Sequence, residues 1–270
     1  MYWKDKWNFT ESIEYEYKFA GKYGAKGEKR QKKKKATPEQ VKKQNQINRE
    51  KKMRRLIKAN FREADIWICL KYPKGTRKSV GEVKQDLEKF LRRMRRAYKK
   101  SGIVFKFIYR MEIGKRGGIH IHILVNRMVG KPGTDMLIQQ CWQQGRANFE
   151  NIYESGGYQA LAEYIVKQPN DEIIEQLSLF DKEERRELIR YSSSRNLVRP
   201  EPERKEFRRR TMKKILDTVR RGDGPVPSPG YYIDRDTIHV GVNQFTGYTY
   251  LQYTEYKIKN NWGGGIPWIT

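Results

Sequence analysis

Seven consecutive residues, Ile119-His120-Ile121-His122-Ile123-Leu124-Val125, constrain this chain more than any other stretch. Apolar and polar residues alternate there with a period of two, the period of a strand, so His120 and His122 leave the backbone on the same side. A second strand-like run over residues 104–113 precedes it, joined by the turn residues Gly114-Lys115-Arg116-Gly117-Gly118, and the pair predicts a β-hairpin. The hairpin folds Glu112 back beside the histidines. Two imidazoles and a carboxylate from neighbouring strands supply three ligands and leave positions open for substrate or water, as a catalytic ion requires. A lone His-x-His pair also arises by chance, and a charged residue at a hairpin end is usually solvated. Here, however, two of the 3 histidines in 270 residues share one strand face, where an unpaired buried imidazole would be costly. The third, His239, reads as an ordinary surface histidine of a late strand.

The chain is long enough for one sizeable core with appendages or for two small domains. No apolar run reaches the length of a membrane span, and the first residues lack the apolar centre of a signal peptide, so the expected setting is the cytoplasm, without a membrane partner. Cys69 and Cys141 are too few and too far apart for a disulfide scaffold or a zinc knuckle, and both read as core thiols. The net charge of +26, with a pI near 9.9, predicts a polyanionic partner, and nucleic acid fits better than a membrane in the absence of an amphipathic anchor.

Residues 1–24 are aromatic and polar without a clear period, and could be a short strand arm packed on the main domain or a stacking surface for bases. From Lys26 to Lys58 there are fifteen Lys and Arg against three Glu. Within that run, Thr37-Pro38-Glu39-Gln40 has the form of a helix start, and a basic helix toward Asn60 is expected to track phosphates. The main domain begins at Ala64. Residues 65–72 predict an apolar strand. Ser79 and Glu82 make a capping box for a helix with Val83, Leu87, Phe90, Leu91, Met94 and Tyr98 on one face and Arg92, Arg93, Arg95, Arg96, Lys99 and Lys100 on the other.

After the hairpin come a helix over 135–144, a strand over 147–153 with Phe149 and Tyr153 facing inward, and a helix from Gly157 to Lys167. The order predicts an α+β fold, a mostly antiparallel sheet with flanking helices of the ferredoxin-like kind. Residues 173–190 and 205–221 read as charged helices, 222–230 as a Pro/Gly linker, and 231–259 as short strands with a turn at residues 244–247. The Gly-rich end at 263–267 reads as loose. Composition thus divides the chain into an aromatic and basic arm (1–63), the main domain (64–170), a charged helical segment (171–222) and a small β region with its linker (223–270).

On the helix before Pro169, Tyr164 and Lys167 lie three residues apart on one face. By itself a Tyr-x-x-Lys pair is common, and its tyrosine is more often a half-buried core residue. Together, His120-Ile121-His122 and Tyr164-Ile165-Val166-Lys167 resemble the paired motifs of the HUH endonucleases and, among them, of the rolling-circle replication initiators, over residues 64–168. The run Ser194-Arg195-Asn196-Leu197-Val198-Arg199-Pro200 is similar to replication-associated proteins of bacterial mobile elements.

The resemblance implies the HUH nuclease fold and a divalent ion, Mg or Mn, on His120, His122 and Glu112. It also implies Tyr164 as the nucleophile that leaves a 5′-phosphotyrosine link and a free 3′-hydroxyl, and a role for Lys167 in charge balance or positioning. The partner would be single-stranded or hairpin DNA. Tyr158, six residues before Tyr164, is off its face, which argues for the one-tyrosine class. No phosphate-loop motif is present, so unwinding would fall to a host helicase. Three rivals remain at this level: a basic nucleic-acid-binding protein without catalysis, a transposase of the same group, and a metal-dependent hydrolase or non-haem iron enzyme built on two His and one carboxylate.

Overall fold

The computed structural model describes residues 1–21, 36–128, 130, 132–152, 158–243 and 247–258. Tyr153, the helix start at Gly157, most of the turn at 244–247, the basic run 22–35 and the Gly-rich end lie outside them. The chain opens with β1 (Tyr2–Asn8), β2 (Ser12–Phe19), α1 (Pro38–Asn60), β3 (Ile66–Lys71), α2 (Val80–Lys100), β4 (Phe107–Ile113) and β5 (Ile119–Val125). It continues with α3 (Thr134–Cys141), β6 (Arg146–Asn151), α4 (Gln159–Val166), α5 (Asp171–Leu177), α6 (Lys182–Ile189) and β7 (Tyr191–Ser193). The last elements are β8 (Glu203–Phe207), α7 (Arg209–Arg220), β9 (Tyr231–Ile233), β10 (His239–Val242) and β11 (Thr249–Lys257).

These elements form two compact units, residues 41–199 and residues 1–40 with 200–270. In the first, five strands pair antiparallel in the order β6-β3-β5-β4-β7. The fold class is α+β, antiparallel with flanking helices, as the element order predicts. Alternation along β5 explains its two faces. Ile119, Ile121, Ile123 and Val125 are buried with the α2 residues Val83, Leu87, Phe90, Leu91, Met94 and Tyr98. Leu124 faces the other way, into a core with Met53, Leu56 and Ile57 of α1 and Ala162 and Ile165 of α4. Each fully buried side chain of this size stabilises the fold by about 1.5–3 kcal/mol.

Helix α2 begins where its sequence requires, with a complete Ser79/Glu82 capping box. Thr37 and Gln40 make the reciprocal pair at the start of α1, Thr37 N donating to Gln40 Oε1 at 3.0 Å and Gln40 N to Thr37 Oγ1 at 3.2 Å. Gly117, at φ +75°, supplies the left-handed residue of the β4–β5 turn.

Several elements differ from the sequence expectation. The charged helix over 173–190 is two helices, because Asp181 forms its own capping box with Glu184 and restarts the chain as α6. The helix over 135–144 ends at Cys141. Trp142 then turns into the core and donates its indole N–H to Lys71 O at 3.3 Å. Residues 191–193 and 203–207 are strands rather than connecting chain.

In the second unit a six-stranded sheet has the order β10-β11-β2-β1-β8, with β9 also on β11. The aromatic N-terminal residues are a β-hairpin inside that sheet. Tyr2, Tyr15 and Tyr17 pack with Tyr253, Leu251 and the α7 residues Met212 and Leu216. Asp5, fully buried, accepts two bonds from Arg204 at 2.6 and 2.9 Å and pairs with Lys18 at 2.7 Å, tying β1 to both neighbours. Contacts therefore join the first and last compositional segments, which sequence order separates. His239 is exposed on β10. Among the described residues no helix is long and apolar enough to cross a membrane.

Candidate functional site

Strand pairing assembles the site before any helix contributes. On β4 and β5, Glu112 sits opposite His120 and Arg110 opposite His122, so all four side chains rise from one face of the sheet. Strand β3 adds Cys69 opposite His122, with Trp67 two residues earlier on the same face. The Trp67 ring lies almost parallel to His122, 5.5 Å between centroids and 17° between planes, and limits how that imidazole can turn.

Helix α4 crosses this face and brings Tyr164. Its hydroxyl donates to Glu112 Oε2 at 2.8 Å and lies 2.9 Å from His122 Nε2. Lys167 is the residue that ends α4, with ψ 142°, so the expected helical face is not what carries it. Its ammonium nevertheless reaches back over the Tyr164 ring, 3.9 Å from the centroid, and pairs with Glu112 Oε1 at 2.9 Å. Arg110 holds the end of the helix. Its guanidinium donates to Ile165 O at 3.0 Å and Lys167 O at 2.8 Å, two of the carbonyls a helix end leaves without partners, while Nε lies 3.3 Å from Glu112 Oε1. Tyr158 is buried at the start of the same helix, in the core between α1 and α4.

The structure thus brings together all five residues singled out from sequence, Glu112, His120, His122, Tyr164 and Lys167. The charges set one another's protonation. Burial pushes the Glu112 carboxyl up, but hydrogen bonds from His122, Lys167 and Tyr164 outweigh it and hold the group at about 2. Burial, with the neighbouring His122, lowers His120 to about 4, so its imidazole is neutral at pH 7 and offers a lone pair. Burial and the bond to anionic Glu112 raise the Tyr164 hydroxyl above its usual range. Tyr164 rests as a neutral phenol.

Ligand atoms of Cys69, His120 and His122 lie within 4.8 Å of one another and could hold a metal ion. Glu112 Oε2 is 3.4 Å from His122 Nε2 and 3.8 Å from His120 Nε2, which puts a hard oxygen donor at the same place. A thiolate with two imidazoles suits zinc-like ions, whereas Mg or Mn requires the carboxylate. The Cys69 thiol is pushed up to about 11, by burial first and with Glu112 among the charges that raise it, so in this setting it is protonated and the carboxylate is the ready anionic ligand.

Three participants escaped the sequence reading. Cys69 is half-buried beside His122, Sγ 3.9 Å from Nε2, and not a core thiol; Cys141 is buried. For Arg110 the available signal was its i, i+2 spacing to Glu112, which puts both on one strand face. For Trp67 and Cys69 no local signal exists, because a distant strand pairing selects them.

Residues 65–169 match the model of a family described as Replication-associated protein ORF2. The match covers the sheet of the site, the two histidines and the Tyr-x-x-Lys helix, the same segment as the resemblance read from the motifs. No curated protein and no solved structure matches the chain.

Proposed function

We propose that residues 65–169, a segment of the replication-associated ORF2 family, cut and rejoin single-stranded DNA through Tyr164, and that the chain so initiates rolling-circle replication of a plasmid, phage or other mobile element. The family accounts for the general part, a replication initiator that acts on DNA. The chemical part rests on one observation: the Tyr164 hydroxyl lies within 2.9 Å of both a carboxylate and an imidazole that share a metal-binding face.

In the proposed step the Tyr164 oxygen forms a bond to phosphorus as the bond from phosphorus to the 3′ oxygen breaks. The products are a 5′-phosphotyrosine and a free 3′-hydroxyl, which receives the proton that Tyr164 gives up. Glu112 Oε2 is the first acceptor in line for that proton, at 2.8 Å. Lys167 and Arg110 flank Glu112 and offset the negative charge that builds at the phosphate. His120, His122 and Glu112 would hold the divalent ion, Mg or Mn, which supplies Lewis-acid polarisation of the scissile phosphate when bound. Because the covalent link keeps the energy of the broken bond, the reverse attack by a 3′-hydroxyl rejoins the strand without ATP. The strand would be presented unpaired or in a hairpin, with separation of the duplex left to a host helicase.

The test is incubation of the full chain with an end-labelled hairpin or single strand and Mn, read on a denaturing gel. A protein-linked product is expected, absent in Tyr164→Phe and His120→Ala, while both variants still bind the strand. Cleavage that persists in Tyr164→Phe would replace this reading with a nuclease that uses water.

A further inference from the structure

A groove of about 1070 Å³ lies on the face of the sheet opposite the histidines, between the second half of α2 and the β4–β7 edge. Alternation fixes the face: Phe107 and Tyr109 of β4 line the groove, whereas Arg110 and Glu112 point into the site. Arg92, Arg95 and Lys99, spaced by three and four residues, form one stripe along α2, and Arg195 closes the other wall. All four are exposed, against a single lining carboxylate, Glu88. Among the described residues none of the four is paired with a carboxylate. Four unneutralised cations converging on one groove are costly unless an anion joins them.

The wall that carries Arg195 is fixed. Ser194 N donates to Phe107 O at 3.0 Å, Phe107 N donates to Ser194 Oγ at 3.2 Å, and Asn196 donates its amide to Phe105 O at 3.0 Å. Two residues on, Asn60 grips Val198 through both backbone groups, at 2.7 and 2.8 Å. Serine hydroxyls at 192 and 193 line the same wall. The aromatic floor cannot stack on bases, since Phe105 is 7% and Phe107 3% exposed, and Arg95 sits over the Phe107 ring at 5.4 Å. Guanidinium groups with hydroxyls and without open rings recognise phosphates and not base identity.

We propose that this groove is a second DNA-binding surface, holding the sugar-phosphate backbone of the strand or duplex that flanks the cut, on the face away from Tyr164. The proposal rests on the chain acting on DNA but does not need the nicking chemistry. It gives the 194–200 run a physical role, to hold Arg195 against α2 at a set spacing.

The test compares the full chain with its Arg92→Ala/Arg95→Ala/Lys99→Ala/Arg195→Ala variant. Binding to a fluorescent hairpin with flanking duplex is measured by anisotropy over a salt series, with thermal melts to check folding. The variant is expected to bind at least about tenfold more weakly near 0.1 M salt, with a log–log salt slope shallower by about 2–4, on the order of 0.9 for each phosphate that is no longer neutralised. A variant that swaps Arg for Lys and Lys for Arg at the same four positions is expected to regain most of the affinity, and it decides the matter if the alanine variant melts early. Unchanged affinity and slope in a folded alanine variant would overturn the proposal, as would binding that polyglutamate displaces from wild type and alanine variant alike. The adduct assay on a short strand confined to the cut, run on the same proteins, keeps the two proposals apart. Loss of flanking-DNA affinity with the adduct retained belongs to the groove, and loss of the adduct in Tyr164→Phe alone belongs to the site.

Discussion

Glu112 receives Lys167, Arg110 and the Tyr164 hydroxyl while itself nearly buried, so its charge organises the whole site. A carboxylate held at about 2 stabilises the fold fully above its unfolded value, about 4.3, and that contribution is lost as pH falls from there toward 2. His120 gives a second window. Its imidazole is held neutral down to about 4, so the folded chain loses stability between about 6.5, where the unfolded histidine charges, and 4. Urea midpoints measured across pH should therefore flatten between about 6.5 and 4 in His120→Gln and between about 4.3 and 2 in Glu112→Gln. Equal acid limbs in all three proteins would contradict this account. Arg110 is a positioning residue that acts through the end of α4. Arg110→Ala leaves Glu112 less compensated and two helix-end carbonyls without donors, and should cost on the order of 3–5 kcal/mol in a denaturant melt. Any adduct should fall in kcat more than in KM, because the strand still binds while Tyr164 is misplaced. A lysine at 110 cannot make the same forked contacts and should rescue little.

At the scale of elements, the β4–β5 hairpin was legible because turn, alternation and register are all local: five turn residues fix that Glu112 meets His120. Helix α2 was legible for the same reason, its capping box and apolar stripe lying within one stretch. Ser79→Ala should lower stability by about 1 kcal/mol in a urea melt, through loss of the cap alone. Strand β3 depends on a meeting that local sequence does not reveal. A Cβ on Gly145 would come 2.2 Å from Lys71 O, where β6 begins its pairing with β3. Gly145→Ala should therefore cost more than Ser79→Ala, and hydrogen exchange should show the loss first in β3 and β6. Equal protection in both strands would argue that the backbone yields there freely. The short strands β7 and β8 were not legible, because their partners, β4 and β1, lie some 80 and 200 residues away in sequence and nothing in Tyr-Ser-Ser or Glu-Arg-Lys-Glu-Phe names them.

At the scale of the molecule, the first 40 residues depend on the last 71 for strand partners, whereas residues 41–199 close on themselves. A chain ending at Arg199 should keep a cooperative melt for the unit that holds the site and lose protease resistance over residues 1–20, since β1 and β2 would retain each other but neither β8 nor β11. Full protection of that hairpin in the truncated chain would show that two strands suffice. By itself the sequence determined the partner class, through a charge of +26 that only a polyanion offsets. It also determined the hairpin that pairs a carboxylate with two imidazoles, through the period of a strand. Tertiary structure alone decided that Tyr164 meets Glu112 and His122, that Cys69 and Trp67 join them, and that the 194–200 run faces α2. Each of those meetings depends on which strand or helix packs beside which. That choice is made by burial of apolar faces over the whole unit, a sum that no short stretch of sequence contains.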